Sequence, residues 1–133
     1  MPTALRTLAA TVAGILVAFI LVTAVELFSA VVHPFPEGVG RTPEETCLHV
    51  ERYPRWILAV VVPAWAATAF AGTWTAMRMG NPVSFAIVSL LLLAAVVFNI
   101  SMLPYPLWFK IANMLAIPAA IAAAGRLARC KKN

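Results

Sequence analysis

The sequence predicts an all-α membrane protein, a four-transmembrane-helix bundle with a short extracytoplasmic helix in its first loop. Composition is the first ground: of 133 residues 62% are hydrophobic and 11% charged, whereas a soluble domain is about 45–50% apolar and about 25% charged. The second is four long apolar stretches, at roughly 5–32, 56–77, 83–103 and 107–126, each near the roughly 20 residues that cross a hydrocarbon core. The third is the Pro-rich step Leu103-Pro104-Tyr105-Pro106-Leu107, too short for anything but a tight turn between two antiparallel spans. Little chain is left over, so residues 1–133 form a single integral membrane domain with an outer loop at 33–55.

The first span is broken only by Arg6 at its edge and by Glu26. Ala10, Gly14 and Ala18 recur at every fourth position and leave a shallow face for close helix packing. Val22 and Ala24 resemble a signal-peptidase site, but the apolar run far exceeds a usual signal core, so the span is read as retained. His33-Pro34-Phe35-Pro36-Glu37-Gly38 then ends the helix. Thr42, Pro43 and Glu45 form a cap, a first helical position and a capping-box partner, which predicts a short helix near 43–52, stopped before Pro54.

Ala64, Thr68, Gly72 and Ala76 make the clearest close-packing stripe, on the second span, and Pro63 is expected to kink that span. The third span is rich in Leu, Val and Ile and polar chiefly at Asn99 and Ser101. The fourth repeats Ala112, Ala116, Ala120 and Ala124, with Pro118 inside. Gly14, Ala64, Thr68, Gly72, Ala116 and Ala120 are therefore the expected helix-packing positions. Tyr53, Trp56, Tyr105 and Trp108 are read as an aromatic belt at the outer interface.

Charge orients the chain. Arg6, Arg78, Arg126, Arg129, Lys131 and Lys132 share one side of a four-span topology, and Arg41, Arg52, Arg55 and Lys110 the other. The excess of Lys and Arg at the first side places both termini in the cytoplasm of a cell (inner) membrane. The basic tail is read as a topology anchor against anionic lipid, not as a nucleic-acid contact. Cys47 and Cys130 fall on opposite sides and cannot pair within the chain.

Glu26 is the main candidate for chemistry. An ionised carboxylate within a span costs about 2.5 kcal/mol or more, so it must be protonated, paired or open to water. His33 follows two turns along the same face if the helix continues, while Asn99, Lys110 and Asn113 lie at the outer ends of spans three and four. Glu26, His33, Asn99 and Asn113 are thus the candidate intramembrane site, either a hydrogen-bond knot that fixes packing or a proton- or ligand-binding cluster. No catalytic residues are assigned: the chain has no Asp for a Ser/His/Asp triad and no Gly-rich phosphate loop. A metal is not expected, because Cys47 and His49, two apart on a helix, face different ways. No cofactor is expected either.

The Pro34–Gly38 step, Glu26 before it, and Pro104-Tyr105-Pro106-Leu107-Trp108-Phe109 before the last span resemble a group of small bacterial four-span proteins with a Pro-x-Pro-x-Gly step. That resemblance implies the same topology and a shared design around Glu26, Asn99 and Trp108, and it implies no activity. Two functions remain open. One is a packing, assembly or accessory subunit, as a homo-oligomer or within a larger membrane complex, which the small-residue stripes favour. The other is a proton-coupled transporter or permeation subunit working through Glu26.

Overall fold

The computed structural model describes residues 1–38 and 40–130 and contains five helices. They are α1 (Thr3–Val32), α2 (Pro43–Glu51), α3 (Arg55–Met79), α4 (Pro82–Met102) and α5 (Leu107–Cys130). All but α2 are long and apolar enough to cross a membrane, so the protein is an integral membrane protein. Lys131 and Lys132 of the basic tail lie outside the described residues. With four spans, both chain ends lie at one end of the bundle, called here the terminal end; α2 and the α4–α5 turn lie at the other, the loop end.

The sequence sets each boundary. Helix α1 stops at Val32 because Pro34 disfavours helical backbone at His33, which sits at φ −137°, ψ 72°. Thr42 caps α2: its hydroxyl accepts from Glu45 N at 3.3 Å, and the Glu45 carboxylate accepts from Thr42 N at 3.1 Å. Asn81 caps α4 in the same reciprocal way with Ser84. Both α3 and α5 continue as single helices through Pro63 and Pro118.

Helix α3 is the hub. It packs extensively on α5 and α1 and less on α4, whereas α1 and α5 do not touch each other. The α4–α5 contact is the slightest in the bundle although only four residues join those helices. It includes Gly125, where an added Cβ would stand 3.0 Å from the Phe85 ring.

The α1–α3 seam is made of the smallest side chains in the chain. Ala10, Gly14 and Ala18 of α1 are buried against the face of α3 that carries Gly72 and Ala76. A Cβ on Gly14 would lie 2.7 Å from the Gly72 carbonyl oxygen, and one on Gly72 would lie 2.9 Å from that of Gly14. The two backbones are in contact, with Val88 of α4 closing over Gly14. In lipid such proximity is the chief source of helix affinity, because burying apolar surface gains nothing over a hydrocarbon solvent. Thr68 lies along the same α3 stripe with its hydroxyl bonded to the Ala64 carbonyl at 2.9 Å, which spares it a partner elsewhere. Ala64 is half-buried.

The α3–α5 seam uses large residues instead. Ile57, Leu58, Val61, Trp65 and Ala69 of α3 and Phe109, Ile117 and Ile121 of α5 belong to the apolar core. The buried face of α5 therefore runs through Phe109, Asn113, Ile117, Ile121 and Ala124, while Ala116 and Ala120 are half-buried beside it. The small-residue stripe of the fourth span is not the centre of its seam: the bulky residues one position along fill the space that α3 leaves there.

The terminal end is tied by polar contacts from α1 to the α3–α4 turn and from α4 to α3. Asn81 Nδ2 donates to Thr7 Oγ1 at 2.6 Å, Arg6 Nε to the Met79 carbonyl at 3.0 Å, and Ser84 Oγ to the Ala76 carbonyl at 2.9 Å.

Replacing Gly72 by Val should force the α1 and α3 backbones apart at a point where no flexible side chain can yield. We expect a loss of about 1–3 kcal/mol or more, read as a lowered thermal midpoint in mild detergent; Ala120→Val, beside a seam rather than in it, should shift the midpoint far less.

Candidate functional site

Toward the loop end from the Gly14–Gly72 contact, α1, α3 and α4 enclose a lateral groove of about 370 Å³. Ile15, Ala18, Phe19 and Val22 of α1 line one wall, Trp65, Thr68 and Ala69 of α3 the floor, and Leu91, Leu92, Ala95 and Val96 of α4 the other wall. Phe19 is 65% exposed and Leu91 51% exposed, so the groove opens sideways, toward the position of lipid. Its polar residues besides Thr68 lie at one end: Glu26 from α1 and Asn99 from α4. Small side chains at Ala18, Ala69 and Ala95 leave the space that larger ones would occupy.

Glu26 lies six residues before the end of α1, roughly 9 Å along the axis. Its side chain is exposed at the groove rim, and among the described residues it makes no hydrogen bond or ion pair. Two phenols stand within reach of its charge. Burial pushes the Tyr105 phenol well above its ordinary range, and the Glu26 and Tyr53 charges push the same way. Burial likewise raises Tyr53, with Glu26 adding to it and a hydrogen bond with Ser29 working against it. Tyr105 packs at 4.6 Å from the Phe109 ring and edge-on to Trp65 at 6.4 Å. The mouth of the groove is therefore a carboxylate beside an aromatic wall. Trp65 Nε1 and Asn99 Oδ1 are both buried without a hydrogen-bond partner, and each such group costs about 1–3 kcal/mol if left so.

The four candidate residues separate. Glu26 and Asn99 line one groove. His33 leaves the face of Glu26 because the helix has ended before it; its ring stacks on His49 of α2 at 4.3 Å, and Tyr53 lies 4.6 Å away. Asn113 is fully buried in the α3-facing side of α5, with Nδ2 donating to the Phe109 carbonyl at 2.9 Å. Asn113 is not among the residues that line the groove with Glu26. Trp65 lines the groove with Glu26 and Asn99, and Tyr105 lies edge-on to Trp65. Tyr53 and Tyr105 are half-buried, whereas Trp56 of the expected aromatic belt is 54% exposed. A Pro on each side of Tyr105 is the local signal that its direction is set by the turn.

A second cavity of about 330 Å³ lies under α2, lined by His33, Phe35, Glu45, Leu48, His49 and Arg52 among others. The histidine stack there ties α2 to the end of α1, with Phe35 at 4.5 Å from the His49 ring. Among the described residues no three His, Cys, Asp or Glu side chains converge on a metal-sized point.

Comparison with known proteins finds no matching family, no matching curated protein and no matching solved structure.

Burial and the neighbouring His33 lower the His49 pKa below its ordinary value, against a backbone hydrogen bond that raises it. A group protonated less readily when folded contributes stability that is fully present above its unfolded pKa and lost as pH falls through the folded one. Attachment of α2 should accordingly weaken as pH drops below about 6.5. Hydrogen exchange at amides 43–52, corrected for intrinsic rates, should accelerate between pH 7.5 and 5.5 in the wild type and change little in His49→Ala.

Proposed function

We propose that this protein is a non-catalytic accessory module of the membrane that binds an amphiphilic small molecule sideways from the bilayer, with Glu26 marking the polar end of the site. The observation that carries this reading is the carboxylate at the rim of a lateral apolar groove, without a partner among the described residues. A cavity of about 370 Å³ is of ligand size, and apolar walls with a few polar groups at one end are the usual composition of a ligand site. The energetic cost of a lone carboxylate at that depth is recovered when an incoming group pairs with it.

Two other readings have less support. The small-residue stripes of α1 and α3 are spent on each other, which removes the main ground for self-association through them. A proton-coupled transporter needs Glu26 to be reachable from both sides, but the groove ends at Ile15 and the Gly14–Gly72–Val88 contact closes the packing beyond it. The resemblance to small bacterial four-span proteins fits a cell-membrane location. The concentration of Arg6, Arg78, Arg126 and Arg129 near the terminal end fits cytoplasmic termini, which puts the groove mouth in the outer leaflet.

The reading is tested with Trp56, Trp74 and Trp108 replaced by Phe, so that Trp65 reports from the groove floor in lipid nanodiscs. A twelve-carbon alcohol brominated at its chain end should quench Trp65 saturably. Ala95→Phe, which fills the groove from an exposed position, should remove the saturable component. Quenching that only follows the membrane concentration of the probe, unchanged by Ala95→Phe, would refute the site.

A further inference from the structure

The polar end of the groove also specifies what kind of head group it takes. Glu26 offers an acceptor with negative charge, and among the described residues no cation pairs with it: Lys110, Arg52 and Arg55 all belong to the loop end, yet none makes an ion pair there. Trp65 lines the same groove, and Tyr105 packs edge-on to it at 6.4 Å and against Phe109 at 4.6 Å. A carboxylate beside aromatic faces in a poorly hydrated site is the arrangement that attracts an ammonium, by charge and through the ring quadrupoles. An anionic head would be repelled by Glu26, and a neutral alcohol would leave the carboxylate uncompensated.

Size narrows the tail. The groove runs from Glu26 to Ile15, eleven residues along α1, or roughly 16 Å. An extended twelve-carbon chain built from bonds of about 1.5 Å spans a comparable length, about 15 Å. One such chain laid along α1 therefore matches the length of the groove. A zwitterionic phospholipid is disfavoured because it sets a phosphate beside Glu26.

We propose that the groove is a binding site for single-chain amphiphiles with a cationic amine head, the ammonium resting on Glu26 at the end of the groove where Trp65 and Tyr105 meet and the chain lying between Phe19 and Leu91 toward Ile15. This rests on the lateral-binding reading above and adds the class of ligand to it.

The test uses full-length protein with Trp65 as the sole tryptophan, in phosphatidylcholine nanodiscs, and three probes with the same terminally brominated twelve-carbon chain. Their heads are trimethylammonium, hydroxyl and sulfonate. The ammonium probe should half-saturate quenching at a membrane mole fraction about tenfold below that of the alcohol, as one charge-assisted contact implies, and the sulfonate should not saturate. Glu26→Gln should erase the ammonium preference while the alcohol changes less than about twofold, and Tyr105→Leu should reduce that preference by a smaller factor. Equal half-saturation for ammonium and alcohol in the wild type would overturn the amine assignment and leave the lateral site standing. Saturation by none of the three would overturn both. The wild-type head-group order decides the matter even if Glu26→Gln does not fold.

Discussion

Backbone contact between α1 and α3 at Gly14 and Gly72 is the constraint on which the bundle depends. Side chains absent at two positions let two helices approach until each carbonyl oxygen stands where the other's Cβ would be. That proximity seats Val88 of α4 over the crossing and brings Thr7 and Arg6 within bonding distance of the α3–α4 turn. Helix α5 then needs only α3. It packs through bulky Ile and Phe residues on the opposite side of the hub, where small residues would leave voids.

The same arrangement creates the groove. At the terminal end the three helices are locked by polar ties and a tight seam; toward the loop end small residues at Ala18, Ala69 and Ala95 keep the walls from filling the space between them. Glu26 at the rim, the Asn99 carbonyl oxygen and the Trp65 indole N–H, the last two buried without a hydrogen-bond partner, concentrate the polar cost of the bundle at that end of the groove.

Much of the architecture was legible in the residues because the membrane imposes coarse rules: length and apolarity for four spans, Pro34 for the end of α1, Thr42 and Glu45 for α2. Depth along a helix was also readable, which is why Glu26 and Asn99 could be expected near one level. Lateral neighbours were not. Periodicity tells that Gly72 and Ala116 lie on small-residue stripes but not which helix each stripe meets, and only Gly72 proved to sit in a close seam. His33 shares the face of Glu26 only where the helix continues, and Pro34 ends it first. An aromatic residue at a span end such as Tyr105 has the same appearance in sequence whether it turns toward lipid or toward a neighbouring indole.

The position of the crossing along α1 has a mechanical consequence. Gly14 is off-centre in a helix that runs from Thr3 to Val32, so α1 is a lever with its short arm tied at the α3–α4 turn and its long arm beside the groove. Glu26 stands twelve residues from the fulcrum, about 18 Å, and a pivot of about 5° would carry it about 1.6 Å across the groove mouth. At the tip of that arm Ser29 meets Tyr53 and the His33 ring stacks on His49, while Val25 packs on the core between tip and fulcrum. The contacts that hold the end of α1 are therefore also the contacts that set where Glu26 stands.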